Sequence, residues 1–127
     1  EFVNSRVRTE INLNNKVYKN ITKRISAIDE KKGTVVLDFF SRMEKFIIDS
    51  HHMLKPNGKL CLITGNSNIC GIKIPTFKIL NKIAEENNFS LKKIYSDEIK
   101  SRNLFKNRNH DGGHIKEEFV SILEARK

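Results

Sequence analysis

The chain has 127 residues, enough for one domain and too few for two. With 38% hydrophobic and 31% charged residues it is too apolar for a disordered tail, and no apolar run approaches the ~20 residues that span a bilayer. Its net charge of +9, from 24 basic and 15 acidic residues, favours polyanionic partners through counterion release. A Lys- and Asn-rich composition can also reach that charge for unrelated reasons.

Glu1 to Asn15 is polar and irregular, and Glu1-Phe2-Val3-Asn4 has neither the basic start nor the apolar core of a signal peptide. Lys16 to Ile28 has Val17, Ile21, Ile25 and Ile28 at helical spacing. Asp29-Glu30-Lys31-Lys32-Gly33 reads as a charged break ending in a glycine stop. Val36, Phe40, Met43, Ile47 and Leu54 then predict a long amphipathic helix from about Val35 to Leu54. Its opening, Thr34-Val35-Val36-Leu37, is alternatively a short strand, because β-branched residues favour one. Lys55-Pro56-Asn57-Gly58 ends the helix in a turn.

Lys59 to Thr64 is a short apolar run that predicts a strand buried on both faces of a parallel sheet, with Cys61 in the core. Gly65 to Ile74 reads as a loop. Pro75-Thr76 opens a helix with Phe77, Leu80, Ile83 and Ala84 on one face, and Asn87-Asn88 closes it. Phe89 to Lys100 reads as a strand, Ser101 to His114 as a polar loop, and Glu118 to Ala125 as a final strand. A strand-helix-strand unit is normally parallel. The last two strands are joined by a loop too short for a crossover helix, so they should be antiparallel neighbours.

The cysteines, Cys61 and Cys70, form no metal pattern or disulfide framework, which suits a reducing, cytoplasmic setting. His110 and His114 flank Gly112-Gly113 but lack companions for a zinc site. His51 and His52 point about 100° apart on a helix and read as surface or boundary residues. Gly65 to Lys73 fails as a phosphate-binding loop, because Ile72 separates Gly71 from Lys73 and no Gly-Lys-Ser/Thr ending exists. Gly65-Asn66-Ser67 lies just past a strand's carboxyl end, where open α/β sheets place ligands; the plain alternative is a connection that needs Gly to turn. Arg102, Lys106 and Arg108 beside Phe105 could grip phosphates and stack on a base; the alternative is a solvated loop with one buried Phe.

Three stretches, with this element order, resemble the C-terminal half of a class I, S-adenosylmethionine-dependent methyltransferase. They are most similar to the DNA amino-methyltransferases (N-4 cytosine or N-6 adenine methylases). The first is Met53-Leu54-Lys55-Pro56-Asn57-Gly58-Lys59-Leu60, similar to the family's turn into its fifth strand, with Asn57 in place of a glycine. The second is Ile63-Thr64-Gly65-Asn66-Ser67 with Gly71, Ile74, Pro75 and Thr76. The third is Ile99, Arg102 and Arg108, then His114-Ile115-Lys116-Glu117-Glu118. Together they cover about Val35 to Arg126.

The resemblance implies an α/β fold, the C-terminal part of a Rossmann-like methyltransferase sheet, within a single, incomplete domain over 1–127. It implies Gly65, Asn66, Ser67, Phe105 and His114 at the substrate and Arg102, Lys106 and Arg108 on nucleic acid, with S-adenosylmethionine as cofactor of the complete enzyme and DNA as partner. The family's glycine-rich cofactor turn is absent. So is its Pro-Pro-aromatic catalytic motif, since the only prolines are Pro56 and Pro75. No catalytic residue and no metal ligand is therefore assigned, and the chain alone should be inactive. Its expected partners include the missing N-terminal half of the same enzyme, or further copies of itself. A fragment of an RNA base methyltransferase and a non-catalytic basic nucleic-acid-binding module remain the alternatives.

Overall fold

The computed structural model describes residues 16–98 and 117–127. Helix α1 (Lys16–Ile28) and helix α2 (Glu30–Met53) lead into strand β1 (Lys59–Gly65). A small hairpin follows, β2 (Ser67–Ile69) and β3 (Ile72–Ile74). Helix α3 (Thr76–Glu86), strand β4 (Phe89–Glu98) and strand β5 (Glu117–Ala125) complete the described elements. The fold is mixed α/β, as expected.

The predicted break at 29–33 is not a break. Only Asp29 separates the two helices. It is extended (φ −147°, ψ 106°), and its side chain accepts the Lys32 N–H at 3.2 Å, capping α2. The helix then runs straight through Gly33 and through Thr34–Leu37, where a strand was the alternative. Gly33 is there for close approach. A Cβ built on it would lie 1.9 Å from the Ser26 Oγ and 2.8 Å from the Ser26 Cα. The tight elbow folds α1 back onto α2, and Tyr18 stacks on Phe40 with ring centroids 5.3 Å apart.

The main sheet has the order β1-β5-β4, and both pairings are antiparallel. The expected antiparallel pairing of the last two strands holds along Phe89↔Ala125 to Glu98↔Glu117. The two strands of the strand-helix-strand unit, β1 and β4, run parallel to each other, but β5 is inserted between them. Helix α3 covers one side of the sheet, burying Leu62, Leu123 and Ala125 against Leu80, Ile83 and Ala84. That core continues through Ile74 into Val36, Phe40 and Ile47 of α2.

β1 is not buried on both faces. Leu62 is buried, whereas Lys59, Cys61 and Ile63 are exposed, because no described element covers the other side of the sheet. Cys61 is therefore a surface thiol rather than a core residue. The predicted loop after β1 holds a hairpin whose two-residue turn is Cys70 (φ 56°) and Gly71 (φ 76°), the left-handed pair of a type I′ turn. No helix among the described residues is long and apolar enough to cross a membrane.

The end of β5 ties the elements together. The Ala125 N–H donates to the Gly58 carbonyl at 2.8 Å, and the Asn57 N–H donates to the Ala125 carbonyl at 3.1 Å. Arg126 donates to the Glu85 carbonyl near the end of α3 at 3.2 Å, and the Lys127 Nζ to the Leu54 carbonyl after α2. His51 Nε2 donates to the Arg126 carbonyl at 3.0 Å, and the His51 ring meets Phe89 edge to face. Cationic side chains on helix-end carbonyls complement the helix dipoles.

Two outcomes follow from the helical elbow. Ala is normally the better helix residue by about 1 kcal/mol. Gly33→Ala should nonetheless lower stability, by ~1–3 kcal/mol, because the Ser26 backbone must move. Urea unfolding that shows a gain would contradict the close approach. The second concerns Tyr18, whose hydroxyl donates to Glu44 Oε1 at 2.9 Å. Burial pushes that hydroxyl up from 10.0 to about 12; the Ser41 hydrogen bond opposes the rise, and Glu44 adds to it. A pKa raised on folding gives stability that is complete below the unfolded value and is lost as pH rises through the folded one. Stability should therefore fall between pH 10 and about 12, and fall less in Tyr18→Phe. Identical alkaline profiles would contradict the assignment.

Candidate functional site

β1 delivers its carboxyl end to a cleft of about 480 Å³. Gly65 ends the strand, exposed Asn66 follows, and exposed Ser67 begins the hairpin. Gly65 and Ser67 line the cleft with Thr64, and Thr76 adds a second hydroxyl from the start of α3. Thr76 Oγ1 donates to the Ile74 carbonyl at 3.4 Å. The opposite wall belongs to α2, through Val35, Val36, Phe39, Phe40 and Met43. Val35 is 66% exposed and Phe39 44%. Among the described residues no charged side chain lines the cleft.

Local sequence explains why the strand stops there. The turn before β1 places Asn57 at φ 67°, the left-handed conformation that Asn accepts, and the Gly58 N–H closes it on the Lys55 carbonyl at 2.8 Å. Pinned by Ala125 at that end, β1 pairs with β5 from Lys59↔Glu124 to Gly65↔Glu118. β4 pairs with β5 up to Glu98↔Glu117. The described part of β4 thus ends at Glu98 and β5 begins at Glu117, beside the end of β1. The connecting residues 99–116 include Lys100, Arg102, Lys106, Arg108 and Lys116 against a single acidic residue, Asp111.

The expected site residues divide accordingly. Gly65 ends β1 and Asn66 and Ser67 follow it; Gly65 and Ser67 line the cleft, and Asn66 is not among its lining residues. Phe105, His114, Arg102, Lys106 and Arg108 lie outside the described residues. The α2 wall was not anticipated. Its signal was available in Val35, Phe39, Phe46 and Met53, a second apolar stripe beside the core stripe, and all of these side chains are exposed.

S-adenosylmethionine carries a charged amino-acid end and a ribose whose hydroxyls need polar or acidic partners. The cleft offers Thr64, Ser67 and Thr76 and no charge, so the described residues do not make a site for it. They form an apolar, hydroxyl-edged wall at a strand end. Among the described residues no group of three or more His, Cys, Asp or Glu could hold a metal ion.

No family model, curated protein or solved structure matches the chain.

The orientation of β1 underlies the site and can be tested directly. Leu62→Ala should cost ~2–5 kcal/mol, because Leu62 is in the core. Ile63→Ala should stay within about 0.5 kcal/mol, because Ile63 is 63% exposed. Reversed magnitudes in chemical denaturation would mean that the strand presents its other face to α3.

Proposed function

We propose that the chain is the substrate-facing, C-terminal part of a Rossmann-like, class I methyltransferase domain. The parent reaction is transfer of a methyl group from S-adenosylmethionine to an exocyclic amino group of cytosine or adenine in DNA, in the cytoplasm. The observation that carries this reading is one of place. Gly65 and Ser67 of the stretch Gly65-Asn66-Ser67, which resembles the family's strand-end motif, line a cleft at the carboxyl end of β1. The basic residues 99–116 are joined to the sheet beside it, at Glu98 and Glu117. A sheet with two parallel strands and an antiparallel last strand also suits the resemblance.

The division of labour is physical. Gly65 keeps the cleft mouth free of a side chain. The exposed Asn66 carboxamide offers a donor and an acceptor, the pairing that suits the edge of an adenine. The apolar α2 wall excludes water from a base that enters. Arg102, Lys106 and Arg108 hold phosphates and so set the position of the strand without reading its sequence. Methyl transfer between bound groups is mainly a matter of positioning, so no protein nucleophile is required. The groups that would bind the cofactor and the target amine belong to the half that this chain lacks.

The expected consequence is a localised grip. Changing Arg102, Lys106 and Arg108 to Ala should lower the slope of log affinity for short duplex DNA against log salt by up to ~3 units. Changing Lys19 and Lys23 on α1 and Lys31 at the start of α2 should barely alter it. Equal slopes for both triple variants would leave only diffuse attraction by a +9 chain and would remove the proposal's support. Tighter binding of an RNA duplex of the same sequence would redirect it to an RNA substrate.

A further inference from the structure

A braced aromatic ring reaches the cleft. Phe39 lies midway along the α2 wall, with Val35 one turn before it and Met43 one turn after, so the three share one helix face. The Phe39 side chain is 44% exposed, yet it is not loose. Its ring meets Phe40 edge to face, with centroids 5.1 Å apart and planes 71° apart. Phe40 is buried and stacks in turn on Tyr18, whose hydroxyl is anchored on Glu44. Three aromatic rings thus run from the α1–α2 interface to the cleft, and the last of them keeps exposed surface. A braced aromatic has only two torsions to order, so it offers contact area at low entropy cost. The opposite wall supplies the hydroxyls of Thr64, Ser67 and Thr76. A flat ring with a polar edge suits two such walls. A phosphate or carboxylate does not, because it would be desolvated there without a counter-charge from the described lining residues.

We infer that Phe39 is the stacking platform for a nucleic-acid base that has left its duplex, with the base's polar edge turned to the hydroxyl wall. The inference rests on the nucleic-acid reading above and adds to it the residue that holds the base. Stacking on an aromatic ring tolerates any base, because every base has a π-face. The hydroxyls are equally tolerant, since each can donate or accept. Thr76 Oγ1 donates to the Ile74 carbonyl and keeps its lone pairs for accepting. The cleft therefore selects a planar base over an empty position, rather than one base over another. Leaving the stack costs least for a base that has no pairing partner, so an unpaired base is the form that enters most readily.

Binding of the full chain to two short DNA duplexes of one sequence tests this. The first carries an unpaired adenine opposite an abasic site, and the second has abasic sites in both strands at that position. The native chain should bind the first roughly tenfold more tightly than the second. Phe39→Leu keeps apolar bulk at an exposed position but has no π-face. It should bind both duplexes alike, with an unchanged circular dichroism spectrum and an unchanged dependence of affinity on salt. Phe39→Tyr restores a ring and should restore the preference. Equal binding of the two duplexes by the native chain, with the salt slope still dependent on Arg102, Lys106 and Arg108, would overturn the inference and leave the nucleic-acid reading standing. A preference that survives in Phe39→Leu would place the base elsewhere and overturn it equally. Equal binding with a salt slope indifferent to those three cations would remove the nucleic-acid reading and the inference with it.

Discussion

The insertion of β5 between β1 and β4 is the constraint on which the rest depends. β1 and β4 run parallel and share no hydrogen bonds; within the described sheet each pairs with β5. The same strand ends in the Ala125 bonds to Asn57 and Gly58, which fix where β1 begins. Its other end, at Glu117 and Glu118, fixes where β1 and β4 finish. One antiparallel strand thereby aligns the strand-end cleft with the two points where the basic segment 99–116 joins the sheet. Arg126 and Lys127 extend that control to the carboxyl ends of α3 and α2. This is a long-range pairing, since β1 must wait for residues more than fifty positions later in the chain. Such pairings bear the loop-closure cost before any contact repays it.

Much of this was legible in the residues. Lys16 to Ile28 is a helix with those bounds because its apolar spacing is regular and Asp29 is a good cap. Pro75-Thr76 and Asn87-Asn88 bracket α3 because each residue type has one mechanical use there, Asn88 adopting φ 67° beyond the helix end. Asn57 does what a glycine would do at the turn. Gly33 misled because glycine marks both chain stops and close contacts. Only the fold reveals that Ser26 lies where a Cβ would be. The Cys70-Gly71 turn was invisible because Cys at φ 56° is an unusual choice, and the strands around it have three residues each. Leu-Cys-Leu-Ile reads as doubly buried in β1, yet burial depends on what covers the second face.

The candidate site shows the same division. That Gly65 to Ser67 follow a strand end was legible, because the apolar run of β1 stops at a glycine there. The α2 wall was not, because a helix with one core stripe already satisfies an amphipathic reading. Val35 and Phe39 lie outside that stripe, and they line the cleft. Exposed apolar side chains on two adjoining elements mark a surface built to be covered.

The placement of substrate at the end of β1 is the central claim, and backbone amide shifts test it most directly. Short duplex DNA would be titrated into isotopically labelled protein while the amide signals are followed. The expected result is that Gly65, Asn66 and Ser67 shift together with residues 99–116, while α1 and the amides of Cys61 and Ile122 on the open sheet face stay still. Shifts concentrated around Lys19 and Lys23, with Gly65 to Ser67 unmoved, would contradict it.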